Sequence, residues 1–189
     1  MKLVATPLPG VYLVEPAVFG DERGWFMESF NQPRWEAALR ALGEPPPAPF
    51  VQDNHSCSRA GVLRGLHYQL PPHAQGKLVR VVQGAAYDVA VDIRRGSPTF
   101  GRWFGAELSA ANRRQMWVPP GFAHAFISLA DETHFLYKTT DVYAKDCERS
   151  IRWDDPAIGI VWPLPAGLPQ PLLAAKDATA PLLAEADLP

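Results

Sequence analysis

Proline and glycine interrupt this chain so often that long helices have almost nowhere to run. Across 189 residues there are 20 prolines and 14 glycines. Proline removes a backbone donor and glycine takes turn conformations that other residues resist, so frequent breaks favour many short strands. One window escapes this rule. Asn31 is a good N-cap, Pro33 falls in the first turn, and Trp35, Ala38, Leu39 and Leu42 recur at helical spacing. Gly43 then supplies a stop, and Pro45, Pro46 and Pro47 forbid continuation.

Between the other breaks, short runs predict strands over 11–15, 25–29, 62–67, 77–83, 87–92, 103–108, 115–118, 124–129 and 133–139. Within 87–92, Val89 and Val91 point one way while Asp88, Ala90 and Asp92 point the other. Gly84 sits between two of these strands, as a tight turn requires. About ten short strands with one early helix predict a mainly β fold, a double-sheet jelly roll or related barrel. No repeat or internal linker is evident, so residues 1–189 are expected to form one domain. After Trp162 the chain is rich in Pro, Leu and Ala and reads as an irregular C-terminal tail.

Composition narrows the classes of partner. A hydrophobic content of 47% suits a packed core rather than disorder. A net charge of -2 argues against a nucleic-acid partner, though a local basic pocket for a diphosphate is allowed. No window approaches the roughly 20 apolar residues of a membrane span. Met1 to Pro7 shows no apolar stretch of the signal-peptide kind, so a soluble, cytoplasmic protein is expected. Cys57 and Cys147 belong to no CxxC pair, which argues against a zinc site or redox couple and fits a reducing compartment.

Chemistry-bearing residues gather in three places. The first is Gln52 to Ser56 followed by Gly61 to Gln69. In a regular strand Arg64 and His67 lie on opposite faces, whereas a kink or bulge at Gly65 brings both to one side. So polar a run either lines a cavity or is a solvated edge strand. The second place is Pro119 to His124, a PxGxxH segment like the one that carries a metal ligand into cupin jelly rolls. The matching HxH stretch reads His67-Tyr68-Gln69, no Glu follows at the usual spacing, and Pro71 and Pro72 carry His73 away. Two imidazoles without a carboxylate fall short of the roughly three protein ligands of a catalytic metal, so no metal is expected. His67 and His124 then read either as core histidines or as proton carriers near neutral pH. The third place is Phe135 to Lys138 with Tyr143, where each tyrosine is a tethered core residue, a proton donor or a stacking platform.

Taken together these segments resemble the dTDP-4-dehydrorhamnose 3,5-epimerase family. The likeness rests on Arg23 to Phe30, Gln52 to Ser56, Gly61 to Gln69, Lys77 to Arg80, Asp88 to Asp92 and Phe122 to His124. It continues through Tyr137-Lys138, Trp153 to Pro156, Trp162-Pro163 and Lys176-Asp177, so it covers nearly the whole chain in order. It implies a cupin-like jelly-roll barrel. It also implies a dTDP-linked 4-keto-6-deoxy sugar as substrate and no cofactor, since nothing is oxidised. The ketone acidifies the C3 and C5 hydrogens, and inversion needs a base, an oxyanion stabiliser and an acid placed opposite the base.

By this resemblance His67 is the base paired with Asp177, Tyr137 is the proton donor, and Lys77 is the cation near the oxyanion. His124 contacts substrate, Arg23 and Arg64 hold the diphosphate, and Tyr143 stacks on thymine. Glu28, Gln52, Asn54, Glu148 and Lys176 match further substrate-contacting positions. Family members are homodimers whose N-terminal segment is exchanged into the partner's sheet, so Arg23 and Glu28 would serve the other subunit's pocket. Two positions depart from the pattern. Ala125 stands where Gly is usual, where a methyl group would narrow the pocket or shift the strand. Ala174 stands where Ser is usual. The competing readings are a single-site epimerase or ketoisomerase on a related sugar, and a ligand-binding cupin without catalysis.

Overall fold

The computed structural model describes residues 1–189. Its strands are β1 (Lys2–Ala5), β2 (Tyr12–Glu15), β3 (Val18–Asp21), β4 (Gly24–Met27), β5 (Gln52–Ser58), β6 (Leu63–Gln69) and β7 (Lys77–Gln83). They continue as β8 (Ala85–Asp92), β9 (Trp103–Ser109), β10 (Gln115–Val118), β11 (Phe122–Ser128), β12 (Thr133–Thr139) and β13 (Glu148–Ser150). Helix α1 spans Gln32–Ala41 and the short α2 spans Ala175–Ala178. A six-stranded sheet, ordered β1-β2-β10-β7-β12-β5, faces a five-stranded sheet, ordered β13-β6-β11-β8-β9. The fold is therefore a mainly β, cupin-like double-sheet jelly roll, but its two sheets do not close into one hydrogen-bonded barrel.

Strand alternation sorts side chains into three clusters. Ala86 and Ala90 of β8 join Val79, Val81, Met116, Phe126 and Phe135 between the sheets. Val89 and Val91 face the other way and pack with Leu66, Ile151, Ile158 and Leu183, so the C-terminal tail covers the outer face of the five-stranded sheet. The third cluster seats α1 on the outer face of the six-stranded sheet, through Trp35 and Leu39 against Tyr12, Val14, Leu78 and Trp117. Fully burying side chains such as Trp35 and Leu39 stabilises the fold by about 2 kcal/mol each.

The α1 boundaries follow from its caps. Asn31 accepts a hydrogen bond from the Arg34 amide, and Pro33 sits in the first turn. Leu42 departs from the expected stripe: it is the C-cap and lies exposed, because the helix ends at Ala41. Gly84, expected in a tight hairpin turn, instead joins β7 of one sheet to β8 of the other, with φ at +74°. The expected strand at 25–29 is shorter, Gly24–Met27, and pairs only with β3. That hairpin joins neither sheet and leaves Phe19, Trp25 and Phe26 exposed.

Candidate active site

Gly65 sets the geometry of the first polar cluster. His124 pairs with His67 while Phe126 pairs with Arg64, so two steps along β11 match three along β6. This is a bulge, and it turns both Arg64 and His67 toward one cavity. Gly65 has φ at +133°, a region that L side chains resist. A Cβ there would also meet Ala125 Cα at 2.6 Å and the His124 carbonyl at 2.7 Å. The Ala125 methyl belongs to the cluster outside the sheet and packs against Gly65, so it does not narrow the cavity.

The cavity lies between the sheets and measures about 570 Å³. Phe126 and Phe135, stacked at 3.9 Å and 6° between planes, lie at its apolar end beside the core. His67 and His124 come from the five-stranded sheet, whereas Lys77, Tyr137 and Asn54 come from the six-stranded sheet. An adjoining lobe of about 290 Å³ shares Asn54, His67, Lys77, Tyr137 and Glu148, and adds Gln52 and Tyr143.

Each histidine in the cavity is tied to a carboxylate. His67 Nε2 lies 2.6 Å from Asp177 Oδ1, and His124 Nε2 lies 2.7 Å from Asp88 Oδ1. Asp177 is carried by α2 and is 2% exposed, while the His67 side chain keeps 23% of its surface open. The tail is held in place by a parallel bridge between Leu172 and Val62. At Ala174, the N-cap of α2, no side chain caps the helix, which is the local consequence of lacking the usual Ser.

Burial decides the charge states of the other members. Lys77 donates to the His67 carbonyl at 3.4 Å. Desolvation pulls its pKa down to about 8, against the opposing charges of Asp88 and Glu148. The His124 pKa is also lowered by desolvation, which outweighs the pull of Asp88, so its imidazole is neutral at pH 7. Desolvation raises the Tyr137 phenol above its ordinary value, with Arg64 opposing, so it holds its proton and is available as a donor.

A polar chain lines the mouth. Lys176 Nζ donates to Glu148 Oε1 at 2.9 Å, and the Tyr143 hydroxyl donates to Glu148 Oε2 at 3.2 Å. Desolvation works against the Glu148 carboxylate, but the hydrogen bond and charge of Lys176 hold its pKa below the usual value. Gln52 accepts from the Tyr143 amide and donates to Asn54 Oδ1 at 3.0 Å. Tyr143 is half exposed at this mouth.

Two expected binding residues lie elsewhere in the single chain. Arg23 sits in the turn of the β3–β4 hairpin, highly exposed and paired with Asp21. Glu28 follows the hairpin and pairs with Arg34 and Asn31. Gln69, at the second HxH position, instead staples loops: it donates to the His73 and Val142 carbonyls and accepts from the Ala144 amide.

Sequence reasoning gave no role to three residues, two lining the cavity and one buried behind it. Asp88 is fully buried and is the partner of His124; an aspartate on the same strand face as Ala86 and Ala90 was the available signal. Ser56 Oγ is buried in the cavity wall with no hydrogen-bond partner in the chain. Arg59 joins Arg64 at the same opening, and nothing in its local sequence set it apart.

The sequence profile of the dTDP-4-dehydrorhamnose 3,5-epimerase family matches residues 5–185. A dTDP-4-dehydrorhamnose 3,5-epimerase of Shigella flexneri is 55% identical over 187 residues, covering 99% of this chain and 98% of its own. A dTDP-6-deoxy-D-glucose-3,5-epimerase from Legionella pneumophila, solved with dTDP-4-keto-L-rhamnose, superposes with a TM-score of 0.91 at 48% identity, covering 100% of this chain and 97% of its own. A 3'-monoepimerase from Streptomyces bikiniensis, solved with dTDP-quinovose, gives a TM-score of 0.83 at 37% identity over 97% of this chain and 88% of its own.

Proposed function

This chain belongs to the dTDP-4-dehydrorhamnose 3,5-epimerase family, and on that premise we propose that its cavity inverts C3 and C5 of dTDP-4-dehydro-6-deoxy-D-glucose to give dTDP-4-dehydro-L-rhamnose. The enzyme is an isomerase of dTDP-L-rhamnose biosynthesis. One observation carries the assignment of roles. His67 and Tyr137 border the same cavity from opposite sheets, one tied to a buried carboxylate and the other holding its proton.

With Nε2 of His67 donating to Asp177, the lone pair left for substrate is on Nδ1. That nitrogen takes the proton alpha to the ketone, and Asp177 stabilises the imidazolium that forms. The Lys77 ammonium, partly desolvated beside this base, offsets charge developing on the ketone oxygen. Tyr137 returns a proton from the opposite wall. Arg64 takes the diphosphate, joined by Arg59. Tyr143, Gln52, Asn54, Glu148 and Lys176 receive the nucleotide end, and His124 contacts the sugar.

Arg23 and Glu28 reach a cavity only in a homodimer. The β3–β4 hairpin exposes Phe19 and Phe26, and it hydrogen-bonds to neither sheet of its own chain. Seated on the partner, it would bury those rings and deliver Arg23 and Glu28 to the second cavity. The free thiols of Cys57 and Cys147 suit a cytoplasmic location.

Turnover in heavy water tests the reading. Deuterium is expected at both C3 and C5, and label at one carbon alone would assign a single-site epimerase instead. His67→Ala should lower turnover at least 100-fold, taking about 10²-fold as the smaller end of what a general base contributes, while dTDP still binds. Tyr137→Phe should still exchange a substrate proton with solvent yet stall before full inversion. Parental rates in both variants would overturn the assignment of base and acid.

A further inference from the structure

We propose that Cys57, Glu132 and His134 form a binding site for a zinc-class divalent cation on the outer face of the six-stranded sheet, apart from the catalytic cavity. The ligands come together through strand pairing, which no spacing rule along the chain detects. Cys57 of β5 lies directly opposite His134 of β12 in the antiparallel register. Glu132 sits in the turn that leads into β12, with φ at +51°. Their donor atoms all lie within 4.8 Å of one another. Cys57 Sγ and Glu132 Oε2 are already 3.7 Å apart. Donors of a tetrahedral zinc ion, at bond lengths of about 2.0–2.3 Å, stand roughly 3.3–3.6 Å from each other. Small rotations of solvent-facing side chains close the remaining gap.

The donor chemistry selects the ion. A thiol, an imidazole and a carboxylate suit zinc and its neighbours in the first transition row, and calcium or magnesium poorly. Three protein donors leave the fourth position to water. The ring of His134 is also held from outside: its Nδ1 lies 2.9 Å from His55 Nε2, the kind of outer contact that orients a metal-bound imidazole. Binding releases the thiol proton to solvent and changes no oxidation state. The ion would tie the edge strand β5 to its neighbour β12 and to the preceding turn. β5 runs directly into the segment that carries Arg59 and Arg64 to the cavity mouth, so the cation would brace that rim without entering the reaction.

Cobalt(II) is a suitable probe, because a cobalt–thiolate bond absorbs in the near ultraviolet. The chelator-treated full-length enzyme should develop that band on titration, saturating at one ion per chain, and zinc should abolish it. Cys57→Ser should lose the band, and His134→Ala should weaken zinc affinity at least about 10-fold, the lower bound set by the loss of mere outer contacts. Both side chains lie outside the catalytic machinery, so both variants should epimerise substrate at the parental rate, which verifies their folding. A missing band in the parent, or zinc affinity unchanged in the Cys57→Ser, His134→Ala double variant, would overturn the proposal.

Discussion

At the scale of single residues, the cavity separates groups that carry charge from groups that keep a proton. Lys77 is one member whose state changes within a working pH range. Its pKa is depressed from 10.5 to about 8 by desolvation, so the ammonium proposed to face the oxyanion is present below that value and lost above it. The pH profile of kcat/KM should therefore fall on the alkaline side near 8, and Lys77→Arg, whose charge persists, should lack that limb. Stability runs the other way. Between about 8 and 10.5 the unfolded chain binds more protons at this position than the folded one, so Lys77 contributes rising stability across that window. A falling rate there is thus not unfolding, and circular dichroism recorded in parallel would establish the difference. The roles proposed for His67, Tyr137 and Lys77 come from the sequence only as members of a family pattern. Taken alone, each had a structural reading that was the better one. Asp88 escaped notice because its meaning depends on His124, which is 36 residues away along the chain.

Among the elements, those with a local signature were the readable ones. The α1 helix announced itself through Asn31, Pro33 and its apolar stripe, and β7, β10 and β12 have the bounds that their runs predict. Strand β5 was read only as one alternative, a solvated edge strand, because Gln52 to Ser58 is polar on both faces: one face lines the cavity and the other meets solvent. Hydrophobic alternation cannot signal such a strand. The bulge in β6 was foreseen only as one of two outcomes, since Gly65 alone does not reveal what stands behind it. The structure supplies Ala125 as the neighbour that leaves no room for a side chain. Gly65→Ala should destabilise the fold by roughly 2 kcal/mol or more, from backbone strain and overpacking together. Adding Ala125→Gly should recover only part of that loss, because it removes the methyl but leaves the backbone contacts with residue 125 and the His124 carbonyl, and the positive φ. Chemical denaturation of the three variants measures the coupling.

For the whole molecule, the proposed dimer makes each cavity the joint product of two chains. In a composite dimer, Arg23→Ala and His67→Ala chains should rescue each other when mixed. One site of each heterodimer then pairs an intact His67 with an intact Arg23, and the other site lacks both. Random reassociation makes half of the dimers mixed, so about one quarter of parental turnover per chain should return. No recovery, with mixed dimers verified by mass spectrometry, would place Arg23 in its own chain's cavity. The molecule also has a temporal order that its geometry imposes. The carboxylate beside the base arrives on α2, after every strand of both sheets has left the ribosome, and it is secured by the strap at Leu172. The same tail also supplies part of the chamber wall, since Leu172, Leu173, Ala174 and Lys176 line the cavity beside Asp177. A protease that cut the strap should therefore loosen Asp177 from His67 and lower turnover.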